Sequence, residues 1–249
     1  MDGITFWGTH VALDPDIPLL GVKMASLVGT FEVTNSRFET KRTSLWFTGL
    51  YNSRVRVSNN EFTSVFGLGG AAFTKSFASD IKVYRCEADN CAGVTIGRFD
   101  WYFEMLDTEP SRSRYYISRN TIHRDAPIPF GGIEMWDSPE SPTIRAIIYH
   151  NTIVSPGHFA VLGPIVGNYV DNALVVGNKF EGAGSSAINV LAGSRWLILS
   201  NDFRDYDSSA ADILLDSESS DCLVVGGWYP ATVYDQGIGN AVVGRATRV

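Results

Sequence analysis

Two carboxylic acids and an arginine form the group in this chain that is best suited to chemistry on sugars. Glu134 and Asp137 stand three residues apart, and Arg98 lies near the same place on the preceding coil of a repeat described below. Paired carboxyl groups supply the acid and the base or nucleophile of glycoside hydrolysis. Trp101 and Trp136 flank them, and aromatic faces offer apolar platforms for sugar rings. The group predicts a site that cleaves a polysaccharide or oligosaccharide.

The longest interruption of the repeat adds further residues to this group. It is the insertion 97–114, which reads GRFDWYFEMLDTEPSRSR. The next coils carry the loops 123–132 and 136–145, and loops on stacked coils project side by side. We therefore expect one cleft, for which a salt-bridged, solvated surface is the alternative. Its residues are Glu134, Asp137 and Arg98 for catalysis, and Trp136, Trp101, Tyr102 and Asp100 for substrate binding.

Cleavage by elimination is a second way in which the same residues would act. A lyase needs a base and a positive charge that neutralises the uronate carboxylate, and Arg98, Arg112 or Arg114 is the expected source of that charge. No calcium-loop motif is present, so we predict no resident metal or cofactor. A Ca²⁺ ion held by Asp100, Asp107 and Asp137 stays open, because these are hard oxygen ligands. The four histidines are scattered, which favours corner or surface positions.

These side chains must be positioned by a short pattern that returns nine times. It reads apolar–x–apolar–x–x–(Asn or small)–x–apolar, and we call its Asn or small position the anchor. The steps between anchors run from 23 to 34 residues, and a period of this size indicates a stacked repeat. The anchors are Thr9, Ser36, Asn60, Cys86, Asn120, Asn151, Asn178, Asn201 and Gly227.

The repeat unit is made of strands. Apolar residues alternate with a period of two before each anchor, and no sustained helical stripe occurs. A second strand follows each anchor, for which we predict the inward pairs Leu45/Phe47, Phe66/Leu68, Val94/Ile96, Ile133/Met135, Phe159/Val161, Ile188/Val190 and Ile213/Leu215. The pattern lacks the leucine-rich signature and is too short for a propeller blade. It predicts an all-β, right-handed parallel β-helix of about nine coils, with residues 1–249 as a single domain.

Several repeats resemble a known group of proteins. The segments are VRVSNNEF (55–62), YYISRNTI (115–122), AIIYHNTI (146–153) and ALVVGNKF (173–180). They are similar to turns of right-handed parallel β-helix proteins of the pectate-lyase-like superfamily, and the resemblance covers roughly residues 4 to 243. It implies an extracellular or cell-surface protein that acts on carbohydrate. The polygalacturonase signatures are missing, and even Gly157-His158 is followed by Phe159, so no catalytic residue carries over.

The anchors themselves have a structural interpretation. Asn tolerates left-handed backbone at a corner, and its amide can bond the Asn of the next coil. Four consecutive anchors, Asn120, Asn151, Asn178 and Asn201, are therefore predicted to form a stacked ladder. The three cysteines favour small buried side chains over a disulfide framework, since Cys222 lies five coils from Cys86.

Charge and hydropathy exclude some functions. The 249 residues carry a net charge of −7 without any basic run, so we expect no nucleic-acid partner. No stretch approaches 18 apolar residues, so we expect no membrane span. Residues 1–10 lack a basic start and an apolar core, which indicates a mature or trimmed form, or part of a longer chain.

One row of outward residues changes character along the chain. By alternation the row is Glu32, Arg56, Lys82, Tyr116, Ile147, Leu174, Leu197 and Leu223. Its four aliphatic members would form an exposed patch, which we expect another subunit to cover, as in a homo-oligomer such as a trimer. A chain segment that folds back is the second explanation. The third is a register shifted by one residue, which would place these side chains in the core.

The sequence thus leads to two hypotheses on function. The first is a carbohydrate-active β-helix enzyme, either a glycoside hydrolase or a polysaccharide lyase. The alternative is a non-catalytic β-helix that binds glycan or serves as a structural rod of a larger surface or tail-fibre protein. An enzyme requires carboxyl groups at a fixed separation in a groove, whereas a rod leaves them in solvent.

Overall fold

A computed structural model of the chain describes residues 5–7, 22–40, 43–64, 70–89, 93–97, 113–124, 131–137, 145–156 and 163–249. All regular structure in these ranges is β-strand, and no helix in them is long and apolar enough to cross a membrane. The strands are β1 Thr5–Trp7, β2 Val22–Leu27, β3 Thr30–Thr34, β4 Arg37–Thr40, β5 Leu45–Tyr51, β6 Arg54–Ser58, β7 Glu61–Ser64, β8 Ala71–Phe77, β9 Asp80–Tyr84, β10 Glu87–Asp89, β11 Val94–Ile96, β12 Arg114–Ser118, β13 Thr121–His123, β14 Ile133–Trp136, β15 Arg145–Tyr149, β16 Thr152–Pro156, β17 Ile165–Asn168, β18 Leu174–Val176, β19 Lys179–Gly184, β20 Ile188–Ser194, β21 Leu197–Leu199, β22 Asp202–Ser208, β23 Ile213–Ser220, β24 Leu223–Asp235 and β25 Ala241–Arg248.

Each strand from β1 to β21 pairs in parallel with the strand that comes three later in the chain. This pairing makes three faces. The pre-anchor face holds β3, β6, β9, β12, β15, β18, β21 and the first parts of β24 and β25. The post-anchor face holds β1, β4, β7, β10, β13, β16, β19 and β22. The third face holds β2, β5, β8, β11, β14, β17, β20, β23 and the second part of β24. The chain is a parallel β-helix, as predicted.

The core is built from side chains that stack on the equivalent residue of the next coil. Alternate residues of each strand point inward, and the inward ones are almost all buried. Among the described residues, phenylalanine rings of neighbouring coils stack in three pairs. The ring centroids are 5.2 Å apart for Phe47 on Phe73 and for Phe180 on Phe203, and 5.5 Å apart for Phe38 on Phe62. Such pairs add to the free energy gained by burial alone.

The predicted asparagine ladder is present at the corner between the pre-anchor and post-anchor faces. The backbone N–H and the Nδ2 of Asn151 both donate to Oδ1 of Asn178, at 3.0 and 2.9 Å. Asn120 donates to Asn151 in the same way, and Asn178 to Asn201. Each Nδ2 also donates to a backbone carbonyl, such as that of Ile117 for Asn151. All four amides are buried, and the ladder therefore joins consecutive coils through the interior.

We expected the anchor to be the left-handed residue of this corner. The left-handed residue is instead the one before the anchor. Positive φ values near 50° occur at that position in Asn35, Asn59, Arg85, Arg119 and His150. The anchor is free to turn inward because its predecessor makes the bend. The tolerance of Asn for left-handed backbone therefore explains Asn35 and Asn59 rather than the ladder.

A second stack that the sequence did not suggest lies at the corner before the pre-anchor face. The backbone N–H of Ser53 donates to Oγ of Ser79, and that of Ser79 donates to Oγ of Ser113, at 3.1 and 3.2 Å. The Oγ of Ser53 donates in turn to the carbonyl of Leu27. Buried serines thus satisfy backbone groups here as the asparagines do at the other corner.

Three positions of the predicted repeat differ in the structure. The predicted anchor Thr9 would place Phe6 three residues before an anchor. Phe6 instead pairs with Phe38 on the post-anchor face, so it lies two residues after an anchor position. On the third face the inward places predicted for Phe66/Leu68 and Phe159/Val161 are taken by Ala71/Phe73 and Ile165/Gly167. The predicted pairs lie outside the described residues, and Ala72 and Val166 stand between the two inward residues of the observed pairs.

The last two coils are flattened. Strand β24 runs without a break from Leu223, on the pre-anchor face, to Val233, which pairs with Ile213 of the third face. Strand β25 follows it, with Ala241 opposite Leu223 and Arg248 opposite Val233. The coil is therefore completed by 18 residues and uses two faces where the earlier coils use three. Val242 and Ala246 still pack against the core.

Candidate functional site

Glu134 lies on the outward side of the third face, between the inward residues Ile133 and Met135, but it is buried. Only 1% of its surface is exposed. Its Oε1 accepts a hydrogen bond from the backbone N–H of Gly131. Burial lowers the pKa of Arg124, and the negative charge of Glu134 opposes that shift. Glu134 is thus held by buried partners rather than presented to solvent.

The other members of the predicted cleft are only partly visible. Asp137 is 5% exposed, and its backbone N–H donates to the carbonyl of Asn168 at 3.1 Å. Trp136 ends strand β14 and is partly buried. Arg98, Asp100, Trp101 and Tyr102 lie outside the described residues, as does most of the insertion 97–114. The cleft and its catalytic roles stay a prediction.

No metal centre is visible in the described ranges, where no three His, Cys, Asp or Glu side chains come together. The described cysteines do not suggest a nucleophile either. Cys86 is a buried anchor, and burial raises the pKa of its thiol to about 11, so the thiol is protonated at neutral pH. Cys222 is buried and its pKa is raised for the same reason.

A different surface combines cations and aromatic rings in one depression. It lies on the outward side of the pre-anchor face, and we call it the basic–aromatic groove. It consists of two hollows, of about 480 and 310 Å³, which share Arg56, Lys82 and Tyr116. The first hollow is completed by Thr30, Glu32, Arg54, Val55, Asp80 and Arg114. The second is completed by Tyr84, Arg85, Ser118, Arg119 and Tyr149.

The strand register brings these residues together. Arg56 pairs with Glu32 on one side and with Lys82 on the other, and Lys82 pairs with Tyr116. Because parallel strands are about 4.8 Å apart, each coil contributes one side chain to each row at that spacing. Tyr84 and Tyr149 occupy a second outward row two residues further along their strands.

The first hollow contains charges of both signs. Arg56 pairs with Glu32 at 3.1 Å, and Nε of Arg114 pairs with Asp80 at 2.8 Å. All four side chains are more than a third exposed, so these pairs contribute little to stability. They leave both guanidinium and carboxylate groups accessible to a ligand.

The second hollow contains cations and tyrosines without a carboxylate. Nζ of Lys82 lies 5.6 Å from the centroid of the Tyr116 ring, within the range of a cation–π contact. Arg85 and Arg119 extend from the left-handed positions of two adjacent coils and are exposed. The hollow is therefore the most positive part of the groove.

The charge of the groove contrasts with that of the whole chain. Six cations and two carboxylates line it, which leaves a net charge of +4 on a chain whose net charge is −7. The two paired outward rows of the post-anchor face have the opposite sign, with two cations and seven carboxylates. These are Arg37, Lys179, Glu39, Glu61, Glu87, Asp89, Glu181, Asp202 and Asp205.

The sequence analysis missed the groove because its cations do not form a run. Arg56 and Lys82 are one coil apart in sequence but neighbours in space. Two signals were available, namely the charged part of the outward row and the arginines that directly precede the anchors at positions 86 and 120. A basic surface built in this way is invisible to a search for consecutive cations.

The aliphatic part of the same row is outward, as predicted. Ile147, Leu174, Leu197 and Leu223 pair in order, and all four are partly exposed. Val175 and Ile198, beside them, are buried in the core. A register shifted by one residue is therefore wrong.

Comparison of the chain with protein-family models, with curated proteins and with solved structures gave no match.

Proposed function

We propose that this protein binds an acidic polysaccharide along the basic–aromatic groove. The observation that carries the proposal is a depression of net charge +4, containing three tyrosines, on a chain of net charge −7. Guanidinium and ammonium groups bind the anionic groups of such a ligand. Tyr84, Tyr116 and Tyr149 offer apolar faces to sugar rings and hydroxyl groups to their substituents.

The lining favours a polysaccharide over a nucleic acid. Glu32 and Asp80 lie among the cations and would repel a phosphodiester chain. Sugar hydroxyl groups, in contrast, can donate hydrogen bonds to these carboxylates while the acidic groups pair with arginine. The resemblance of the repeats to the pectate-lyase-like superfamily also supports a polysaccharide ligand. Our proposal includes membership of that superfamily and an extracellular location.

A catalytic form of this proposal adds cleavage of the polysaccharide at Glu134 and Asp137, which lie on and after strand β14 of the third face and do not line the groove. The burial of both carboxyl groups favours binding without cleavage over an open catalytic cleft. An assay with several acidic and neutral polysaccharides tests it, with reducing ends and unsaturated-uronate absorbance as readouts. Turnover that is lost in Glu134→Gln or Asp137→Asn would establish the enzyme.

Binding is tested by affinity electrophoresis with polygalacturonate, alginate, dextran sulfate, neutral dextran and a single-stranded oligonucleotide. We expect retardation by at least one acidic polysaccharide and none by dextran. Arg56→Gln with Lys82→Gln removes two cations shared by both hollows and should weaken binding at least tenfold. The matched control is Arg37→Gln with Lys179→Gln, which removes two cations from the post-anchor face and should leave binding unchanged.

Three results would contradict the proposal. Absence of retardation by every acidic polysaccharide would remove the function. Equal losses in the groove variant and in the control would mean that net charge alone governs binding. Tighter binding to the oligonucleotide than to any polysaccharide would assign the groove to nucleic acid.

We also propose that two copies of the chain associate through the aliphatic part of the pre-anchor face. This patch comprises Ile147, Leu174, Leu197 and Leu223, with Val176, Leu199 and Val225 in the neighbouring row. The charge pattern argues against a trimer, the oligomer that we named from the sequence, if its chains run parallel, because three positive grooves would then come together. An antiparallel pair superposes the two patches and separates the two grooves.

A further inference from the structure

The two arginines of the second hollow stand where the backbone does not favour them. Arg85 and Arg119 have φ values of 54° and 55° at the left-handed position before the anchor. Three other coils place Asn35, Asn59 and Gly177 there, the residue types that adopt this conformation most readily, and two place His150 and Ser200 there. The bend thus tolerates several residue types and does not require arginine, so what distinguishes Arg85 and Arg119 is the surface that their side chains line.

The two left-handed arginines belong to neighbouring coils and line the same hollow. Strands β9 and β12 pair directly, which places Arg85 beside Arg119 in the row that follows Tyr84 and Ser118. Arg56 and Lys82 line the hollow from the other row. Four cations thus line a hollow of about 310 Å³, together with Ser118 and three tyrosines and without a carboxylate in the lining. One of the four, Arg56, also pairs with Glu32 of the first hollow at 3.1 Å.

We infer that the second hollow binds a tetrahedral oxyanion ester, a sulfate or phosphate group, carried by the polysaccharide. This inference rests on the proposed function and specifies its ligand. A planar carboxylate has two acceptor oxygens, which two cations satisfy. A sulfate or phosphate ester has three terminal oxygens on a tetrahedron and accepts hydrogen bonds from several directions at once. The first hollow, with Glu32 and Asp80 in its lining, suits the hydroxyl-rich part of the same chain.

The test compares polymers that share one backbone and differ in the acidic group. The probes are dextran sulfate, dextran phosphate and carboxymethyl-dextran at matched charge density, with neutral dextran as the blank. Dissociation constants are measured by biolayer interferometry at a fixed ionic strength, because polyelectrolyte affinities depend on salt. We expect at least one of the two tetrahedral esters to bind tenfold or more tightly than carboxymethyl-dextran.

Arg85→Asn with Arg119→Asn is the decisive variant. Asparagine stands at this position in two other coils, as Asn35 and Asn59, so the corner keeps a residue suited to its backbone. We expect the variant to retain the melting temperature and to lose the preference for the tetrahedral ester. The control is again Arg37→Gln with Lys179→Gln, which changes the net charge by the same amount.

The outcomes separate the inference from the proposed function. Equal affinity for the sulfate, phosphate and carboxymethyl polymers, all lost together in Arg56→Gln/Lys82→Gln, would overturn the inference and keep polysaccharide binding. A preference that survives Arg85→Asn/Arg119→Asn would also overturn it. Failure of every charged polymer to bind better than dextran would remove both. Between the two esters, the tighter one identifies sulfate or phosphate.

Discussion

The two halves of the pre-anchor face share a backbone and differ in their outward side chains. From β3 to β12 the outward row that runs from Glu32 to Tyr116 is charged or aromatic, whereas from β15 to β24 the same row is aliphatic. The inward residues do not change in this way, because Val55, Ile81, Ala146 and Val175 are all buried apolar residues of one core. The hydrogen-bonded ladder between strands is continuous across the junction of β12 and β15.

This difference shows that a β-helix separates the task of folding from the task of recognition. Inward residues and corner residues hold the coils together, and outward residues are free to vary along the axis. One flat face can therefore carry a polar binding groove at one end and an apolar contact surface at the other. Changes to the shared framework should affect both halves, and changes to outward residues should affect one.

The largest effect is expected from Asn151→Ala, at the junction of the halves. The Asn151 side chain is buried, accepts two hydrogen bonds from Asn120 and donates to Ile117 and Asn178. Leaving these partners unsatisfied should lower the free energy of unfolding by about 3 kcal/mol. Chemical denaturation measures the loss, and Thr152→Ala is the partly exposed control. Hydrogen exchange that increases in only one half would show that the halves fold independently.

The next effect is expected from Leu174→Glu with Leu197→Glu, which gives the aliphatic half a charged surface. Both side chains are partly exposed, so the monomer should stay folded. Light scattering over a range of concentrations should show a dimer for the native chain and a monomer for the variant. Aggregation of the variant at low concentration would instead place the two leucines inside the monomer. If the native chain and the variant have the same mass, the aliphatic patch does not mediate a dimer and this proposal is wrong.

A smaller effect is expected from Tyr116→Ile, which gives the polar half the residue of its neighbour Ile147. The variant loses the ring beneath Lys82 and one aromatic face in the groove. Affinity for the acidic polysaccharide should fall by about fivefold, which corresponds to about 1 kcal/mol. The melting temperature should be unchanged, since the residue is outward. A fall in stability without a fall in affinity would make Tyr116 a structural residue.

The smallest effect is expected from Cys86→Asn, which extends the asparagine ladder into the polar half. Sγ of Cys86 lies 3.8 Å from the carbonyl of Val57, the place that Nδ2 of Asn120 takes relative to Val83 one coil later. An amide should replace the weak sulfur contacts and raise the free energy of unfolding by about 1 kcal/mol. Differential scanning calorimetry measures the change. A lower melting temperature would mean that the corner at position 86 is too small for an amide.

The framework of the fold could be predicted from the sequence because burial imposes a period on it. Inward residues such as Val57 and Ile117 must be apolar, and the buried corner accepts only small or amide side chains, so both leave a repeated pattern. Phe6 was assigned to the wrong strand because the pattern of two apolar residues around a polar one fits either side of an anchor. The strands at positions 71 and 165 were missed because the nearby apolar pairs Phe66/Leu68 and Phe159/Val161 fit the period of two equally well.

The candidate site was less predictable because nothing periodic constrains outward residues. Alternation along strand β14 indicates that Glu134 points away from the core of the β-helix. Alternation does not show which residues cover a side chain, and Glu134 is covered. The groove depends on which coils are neighbours and on residues such as Arg85 and Arg119, which are separated by a full coil in sequence. Its charge emerges only when the coils are stacked.

The flattened C-terminal coils also bear on how stability is distributed along the axis. Strand β25 has eight residues, of which Val242 and Ala246 pack against the core and the others are exposed. A segment with few buried apolar contacts opens locally at a low free energy. Opening of this two-faced coil should therefore cost less free energy than opening of a three-faced coil, and protection from hydrogen exchange should fall along the chain toward β25.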